Sequence, residues 1–421
     1  MKDDSDAICP RCHAAPAASD DRFSTWCAAC DWNVDPAGPV GMRKREAREL
    51  ARQERLFGRT AVNGPDTSPP SAAMYGALAL ATAVNLITAA LVATGAWLLI
   101  TGTRPQQVLG AIELLAALML FPRPGKPPKH TVDRATAPAL HAIVQRIGAE
   151  LGTRPPDLLA FDTRYGARWV AVGLRRRRVL VLGLPLWETL TTDQRLALLV
   201  RELAHAADEG RPRARWVRSA LDSLAGWESL LRPDPERPDQ ALGVRHSFAD
   251  GRQSSNIAHV GEMIARPLLG LLAQGAHLLH AQLRRLSSHI ADQTYRADRT
   301  AARITTAASA ESLLQALLLQ EPAVFALERL SRRGDGDLWE MLRAYLASVP
   351  EAERARRLRL SELRGDASGS GHPPTCLRIR YVRTLPRTEP TVAVTEAEAR
   401  TVDLELAPTR SSIARECRQR P

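Results

Sequence analysis

One stretch combines residue types whose spacing could support metal chemistry. Thr191–Asp208 carries apolar residues at the three-to-four spacing of a buried helix face, and Thr192 is a suitable N-cap, so it predicts a helix. On it Arg201, Glu202 and His205 occupy the defined positions of H-E-x-x-H, in which two His bind Zn²⁺ and the Glu activates a water. A guanidinium has no lone pair to offer, so Arg201 cannot be a ligand. The motif is therefore present but has lost one ligand.

A second set of candidate ligands lies near the start of the chain. Two C-x-x-C pairs stand fourteen residues apart, namely Cys9, Cys12, Cys27 and Cys30. Four thiolates at this spacing can hold one tetrahedral Zn²⁺, with Trp26 and Trp32 shielding the sulfurs. We predict a zinc ribbon over residues 1–40; the alternative is four unligated thiols in a reducing compartment. The motif leaves its role open between binding nucleic acid, binding protein and closing the terminus.

Several further blocks surround the motif helix in a fixed order. They are Pro155–Asp162, Trp169–Leu174, Arg178–Leu190, Tyr295–Ala302 and His372–Ile379. In this order the chain resembles the HtpX-type membrane zinc metallopeptidases, the family that also contains the CAAX prenyl endopeptidases. The resemblance covers about Arg134–Leu385. It implies an α+β, mainly helical fold, with a zincin-like metallopeptidase domain over residues 130–386.

The resemblance also implies roles for particular residues. The family's third zinc ligand is a Glu, and Thr294 stands at its position, whereas the Asp that orients a ligand His is kept as Asp298. His372 and Arg378 match residues that family members place beside the zinc. Two of the three ligands are therefore replaced, at Arg201 and Thr294. We expect a structural zinc in the ribbon and no catalytic zinc, with Glu202 left in a degenerate site.

Local patterns predict the elements around this site. Ala135–Leu151 is an amphipathic helix, and Leu158–Phe161, Ala167–Val172 and Val179–Leu182 are short strands of a small sheet. In the resembled family the edge strand pairs with the substrate backbone. Arg168 stands here where the family usually has Asn. Leu313–Leu319 and Trp339–Leu346 are predicted closing helices.

An uncharged run predicts a membrane anchor. Met74–Ile100 has 27 residues without a charge, about 40 Å as a helix, which exceeds a bilayer core of roughly 30 Å. Val108–Phe121 is a shorter apolar run containing Glu113, which we expect to face the partner helix or the headgroups. Together they predict a transmembrane hairpin over residues 72–122.

The charge of the chain bears on orientation and partners. The net charge is +11, and the Gly41–Arg59 segment is rich in arginine, so residues 41–71 are predicted to form a basic juxtamembrane helix and a linker. Basic residues at both outer ends of the hairpin place the ribbon and main domain in the cytoplasm. The expected partners are the lipid bilayer and a peptide or membrane-protein segment in the groove. No base-reading or stacking signature supports a nucleic-acid partner.

Weaker patterns remain after the main domain is placed. Arg266–Leu286 is apolar with His277 and His280, and it predicts a packed or membrane-grazing helix. Trp216–Leu231 is predicted to be helical. From residue 387 to 421 the chain is Thr/Glu/Arg-rich without a period, so a disordered tail is predicted.

Three functions are compatible with these patterns. The first is a pseudopeptidase that keeps the fold and the peptide groove. In it Arg201 pairs with Asp298 or another acid where the metal would stand, rather than with Glu202, because adjacent residues on a helix point apart. The second is an active zinc metalloendopeptidase with other ligands, such as His246, His259, His289 or His372. The third is a membrane-tethered adaptor in which the zinc ribbon binds nucleic acid or protein.

Overall fold

The computed structural model describes most of the chain outside one long internal segment. The described residues are 8–14, 20–36, 43–64, 72–120, 128–173, 177–209, scattered positions between 213 and 227, 273–283, 289–334, 336–364 and 373–419. They form two compact units. The larger consists of Met1–Ser68, Pro124–Asp208 and Ile290–Pro421, and the smaller of Pro69–Arg123 and Glu209–His289.

A small mixed sheet lies in the larger unit. Its strands are β1 (His130–Val132), β2 (Leu158–Asp162), β3 (Ala167–Val172) and β4 (Arg177–Gly183), in the spatial order β1-β2-β4-β3. β2 and β4 run parallel, and β1 and β3 pair antiparallel at the two edges. The three predicted strands are confirmed, whereas β1 was missed because three residues are too few to show an alternating pattern.

The two central strands are apolar without alternation because both of their faces are covered. Leu159, Phe161, Leu180 and Leu182 belong to the main core, while Ala160, Val179 and Val181 form a second cluster on the other face. Such continuous apolar runs are typical of strands buried on both sides. The sheet therefore lies inside the unit rather than on its surface.

Helices surround this sheet. α1 (Arg43–Asn63) precedes it in the chain; α4 (Pro138–Glu150) and α6 (Thr192–Glu209) follow the pattern-based predictions closely, whereas the short α5 (Leu184–Thr189) was not predicted. The motif helix α6 begins one residue earlier than expected. Thr191, not Thr192, caps it: Gln194 donates its backbone N–H to Thr191 Oγ1, and the Gln194 side chain accepts from the Thr191 backbone.

The second half of the larger unit is helical. Its helices are α7 (His289–Ile304), α8 (Ala307–Leu317), α9 (Gln320–Arg333), α10 (Leu338–Ala347), α11 (Glu351–Arg364), α12 (Thr375–Arg383), α13 (Glu396–Glu405) and α14 (Ala407–Gln419). The predicted closing helices correspond to α8 and α10. The chain is thus mainly helical with one small sheet, as the α+β prediction requires.

The prediction of a disordered tail over residues 387–421 was wrong. Thr395 and Glu398 form a capping box that starts α13, and Leu406 and Ile413 are fully buried in the main core. Glu405 accepts hydrogen bonds from the backbone N–H groups of Ala139 and Leu140, which caps α4. These helices have few apolar residues, but Val402, Leu406, Ile413 and Cys417 are buried in the main core, so tertiary packing stabilises a segment that composition suggested would not fold.

The smaller unit contains α2 (Ala72–Thr101) and α3 (Arg104–Leu120), which pack against each other. Met74–Thr101 is the helix in the described residues that is long and apolar enough to cross a membrane, and Leu86, Trp97 and Ile100 on it are exposed. α3 has 17 residues, about 25 Å, which is less than a bilayer core. A second crossing and the cytoplasmic orientation stay predictions.

The contact between α2 and α3 is close. A Cβ built on Gly110 would lie 2.6 Å from the carbonyl oxygen of Gly95, so the two glycines allow the backbones to approach. Thr94 Oγ1 donates to Glu113 Oε2 at 3.0 Å. Glu113 therefore faces the partner helix, as its cost in lipid predicted.

Parts of the remaining predictions lie outside the described residues. Of the predicted helix Trp216–Leu231, the described positions up to 227 are helical, and residues 273–283 form a helix within the predicted Arg266–Leu286. The linker positions 65–71 are also outside the description. Asn85 Nδ2 donates to the Trp216 carbonyl oxygen at 3.2 Å, and Ala77, Ala81, Val217 and Leu283 share one buried cluster of the smaller unit.

Candidate functional site

Four charged side chains meet where α6, α7 and α12 come together. Arg201 donates from Nε to Asp298 Oδ1 at 3.2 Å and from Nη1 to Glu202 Oε1 at 2.8 Å. Arg378 makes a two-pronged contact with Asp298, from Nε to Oδ2 at 2.7 Å and from Nη2 to Oδ1 at 2.8 Å. We call Arg201, Glu202, Asp298 and Arg378 the charge cluster.

The charge cluster is buried and balanced. Side-chain exposure is 14% for Arg201, 9% for Glu202, 2% for Asp298 and 7% for Arg378. Two cations and two carboxylates cancel formally, which matters because an uncompensated charge in a dry interior is costly. The planar guanidinium of Arg378 matches the two oxygens of Asp298, so the geometry is of the strong, bidentate kind.

The surroundings shift the acidity of the central pair. Burial alone would raise the pKa of Asp298, but Arg378 and Arg201 outweigh it and hold that pKa below its ordinary value. Burial, followed by the repulsion of Arg378, lowers the pKa of Arg201. Asp298 is therefore the ionised centre of the cluster.

The sequence predicted one of the two contacts of Arg201 correctly. Its pairing with Asp298 is confirmed. Glu202 was expected to point away, because consecutive residues on a helix diverge, yet the structure shows an ion pair between Arg201 and Glu202. That part of the prediction was wrong, since the long arginine side chain lets Nη1 reach back to its neighbour.

The other predicted zinc positions lie on the same helices. His205 follows Arg201 by one turn of α6, and Thr294 is fully buried on α7, one turn before Asp298. His372 lies outside the described residues, as do His246 and His259, and the side chain of His289 is not described.

The donor set at this position does not fit a catalytic zinc. In the described part of the chain, Glu202, His205 and Asp298 do not form a group whose ligand atoms are close enough to share an ion. Asp298 is engaged by both guanidiniums, and Thr294 offers a hydroxyl, a poor Zn²⁺ ligand. The chemistry of this site is that of a salt-bridge network.

The cluster has an aromatic wall that the sequence analysis missed. Tyr295 is fully buried on α7, with its ring 5.1 Å from that of Tyr381 and 6.2 Å from that of Phe57 on α1. Tyr295 lies three residues before Asp298 on α7. Residues at this spacing share one face of a helix, and this sequence pattern could have placed Tyr295 beside the charge cluster. Burial raises the pKa of the Tyr295 hydroxyl.

Replacing Tyr295 by Phe is expected to leave the free energy of unfolding unchanged or to raise it by up to about 1 kcal/mol. The hydroxyl is buried, and in the described chain no hydrogen-bond partner reaches it, so its removal relieves a desolvation cost. Tyr165→Phe is the matched control and should cost about 1 kcal/mol, because Tyr165 donates to the Ala316 carbonyl oxygen at 3.1 Å. Denaturant titration measures both. Equal losses in the two variants would refute the assignment.

The second candidate site is the cysteine cluster. The sulfur atoms of Cys9, Cys12, Cys27 and Cys30 all lie within 4.8 Å of one another, with Cys9 and Cys30 3.7 Å apart and Cys12 and Cys27 3.5 Å apart. A tetrahedral zinc with Zn–S bonds of about 2.3 Å separates its sulfurs by about 3.8 Å. The cluster therefore has the arrangement of a four-thiolate metal site, a donor set that suits zinc.

The cysteine-bearing segment docks onto α11 of its own chain. Trp26 Nε1 donates to the Ala352 carbonyl oxygen at 3.1 Å, and the buried Arg356 donates to the Val34 carbonyl oxygen at 2.9 Å. Asp31 pairs with Arg359 at 2.7 Å, and Asp35 pairs with Arg364. The motif left the role of this segment open. The structure shows that one face of the segment packs against α11 of the same chain.

The sheet contacts the motif helix through its central strand β4. Arg178 on β4 stacks on the Trp169 ring of β3 at 4.9 Å and donates to the Ala206 carbonyl oxygen of α6 at 3.2 Å. Arg168, which replaces the family's Asn, pairs with Asp162 at 2.8 Å. In the described residues β3 pairs with β4 alone and forms one edge of the sheet.

Comparison with known proteins adds no assignment. No protein-family model, no curated protein and no solved structure matches the chain.

Proposed function

We propose that this chain is a membrane-anchored pseudopeptidase, in which a metallopeptidase-like helix-and-sheet frame is retained for binding rather than hydrolysis. The proposal combines the resemblance to the HtpX-type family with the charge cluster. The observation that carries it is the contact of Arg201 with Asp298, because a permanent cation lies between the residues that would otherwise organise a metal.

The cluster gives this exchange a physical basis. Zn²⁺ would polarise a water and neutralise the nearby carboxylates at the same time. The guanidiniums of Arg201 and Arg378 can take over only the second task, since they have no lone pair and no exchangeable water. Glu202, the residue that would accept the proton from such a water, is instead paired with Arg201 at 2.8 Å.

The proposed ligand is an extended peptide segment, such as a loop of another membrane protein. The outer edge of β3 offers backbone donors and acceptors to such a strand. Strand addition depends little on side chains, so losing catalysis need not remove binding. The retained anchor would restrict the ligand to segments close to the bilayer.

The alternatives have less support from the described residues. An active endopeptidase would need other ligands near His205, and no such group of ligand atoms occurs in the described ranges. An adaptor that acts through the ribbon would have to use a face other than the one carrying Asp31 and Asp35, which α11 engages.

The expected metal content tests the proposal. Purified wild-type protein should contain one zinc per chain, which Cys9→Ser removes, because the ribbon is then the site that holds it. Arg201→His combined with Thr294→Glu should add a second zinc, whereas either substitution alone should add little, since His205 needs two new ligands at once. Elemental analysis of metal per chain gives the result.

The control places the same residue types elsewhere. Arg303→His with Thr401→Glu changes two exposed positions and should leave the metal content unchanged. Two zinc ions in the wild type, one of them surviving Cys9→Ser, would contradict the proposal. So would cleavage of casein by the wild type that Glu202→Gln abolishes.

A further inference from the structure

The arginine-rich helix α1 has two sides with different surroundings. Gln53, Leu56, Phe57 and Thr60 share one side; Gln53 and Thr60 are buried, and Leu56 and Phe57 pack against Tyr295 and Tyr381. Thr60 Oγ1 donates to Asp292 Oδ1 at 3.3 Å, and the guanidinium of Arg380 stacks on the Phe57 ring at 5.0 Å. Through these contacts, this side of α1 packs against α7 and α12.

A basic stripe follows another side of the same helix. Positions 45, 48, 52, 55 and 59 are all arginine and are spaced alternately by three and four residues, so the helix register aligns them. Arg55 and Arg59 are exposed. Within the described chain neither has a carboxylate at salt-bridge distance, and their charges therefore remain uncompensated.

The position of α1 in the chain indicates which surface the basic stripe can contact. Eight residues separate its end at Asn63 from the start of α2 at Ala72, and eight residues reach at most about 30 Å. α2 is the helix that could cross a membrane. The linker thus keeps the C-terminal end of α1, which carries Arg55 and Arg59, within reach of a bilayer surface whenever α2 is inserted.

We propose that the arginine stripe of α1 is a docking surface for anionic lipid headgroups. Phosphate and carboxylate groups of such lipids complement the uncompensated guanidiniums, and each basic side chain near an anionic surface strengthens binding about fivefold. A nucleic acid would offer phosphates too, but the aromatic residue of this helix, Phe57, is packed inside and cannot stack on bases. The surface is independent of the pseudopeptidase proposal.

The test uses the full-length protein in nanodiscs of phosphatidylcholine alone or enriched in phosphatidylserine. Backbone hydrogen exchange over residues 50–63 should slow in the anionic discs, by about thirtyfold if Arg55 and Arg59 both contribute, because bound headgroups oppose local opening of α1. High salt should remove the difference, since surface charges are then screened.

Two double variants separate the stripe from general positive charge. Arg55→Gln with Arg59→Gln should abolish the difference between the two disc types, while Arg332→Gln with Arg333→Gln, an exposed pair on α9, should preserve it. Unchanged exchange of α6 in each variant shows that the fold is kept.

Equal exchange of α1 in both discs for the wild type would overturn the proposal, as would a difference that survives Arg55→Gln with Arg59→Gln. Binding of a labelled single-stranded DNA in place of any lipid effect would overturn it in favour of a nucleic acid.

Discussion

Substituting Asp298 by Ala is expected to lower the free energy of unfolding by about 3 to 5 kcal/mol. Asp298 accepts hydrogen bonds from both Arg201 and Arg378, and its side chain is 2% exposed. Without it, two guanidiniums remain in a buried cluster with Glu202 as the one carboxylate. Chemical denaturation of the purified protein, followed by fluorescence, measures the loss.

Asp403 offers a matched control for this substitution. It also pairs with an arginine, Arg195, at 2.8 Å, but its side chain is 43% exposed. Solvent screens such pairs, so Asp403→Ala should cost no more than about 1 kcal/mol. If Asp298→Ala costs no more than Asp403→Ala, the charge cluster does not stabilise the fold in the way described.

The same cluster gives the wild type a defined response to acid. The pKa of Asp298 is lower in the folded chain than its ordinary value of about 4. The folded state therefore binds the proton less readily than the unfolded state, and the stabilisation is fully present above the ordinary value. It is lost as the pH falls through the lower, folded value, so Asp298→Ala and wild type should converge in stability under strongly acidic conditions.

Removing the metal from the cysteine cluster is expected to unfold the docked segment. Apparent binding energies of structural zinc are about 10 to 16 kcal/mol, and a segment this short has too small a core to fold without it. After Cys9→Ser or chelation, limited proteolysis should cut within residues 8–36. Arg356, which is 5% exposed, would lose its contact with Val34, so the main domain should also melt at a lower temperature.

A buried cysteine outside the cluster provides the control. Cys417 is 6% exposed on α14, far in sequence from the two pairs. Cys417→Ser should keep the zinc content and the protease resistance of residues 8–36, even if it lowers stability through packing. Zinc retention by Cys9→Ser would contradict the four-thiolate site, and a segment that resists protease without metal would show that the docking onto α11 folds this segment unaided.

The docking of the cysteine-bearing segment gives its carboxylates specific partners. Asp31 and Asp35 pair with Arg359 and Arg364 of α11. α11 in turn contacts α12. Ser361 Oγ on α11 accepts a hydrogen bond from the backbone N–H of Cys376 on α12, two residues before Arg378. The cysteine-bearing segment and the charge cluster thus both contact one helix, α11, directly or through α12.

The sequence by itself determined those features that depend on residues near one another in the chain. The helix around Glu202, the three main strands, the spacing of the cysteine pairs and the apolar length of Met74–Thr101 all follow from local periodicity and residue type. The absence of a lone pair on Arg201 is likewise a property of the residue alone. Each of these could be stated before any fold was known.

Only the tertiary structure decided which distant groups meet. It brought Arg378 onto the carboxylate of Asp298 that Arg201 was predicted to reach, packed Tyr295 against Phe57, and buried apolar side chains of the helices within residues 396–419 that composition suggested would be disordered. Local sequence cannot encode these pairings, because burial of a charge becomes acceptable only when packing of several helices brings its counter-charge within hydrogen-bonding distance.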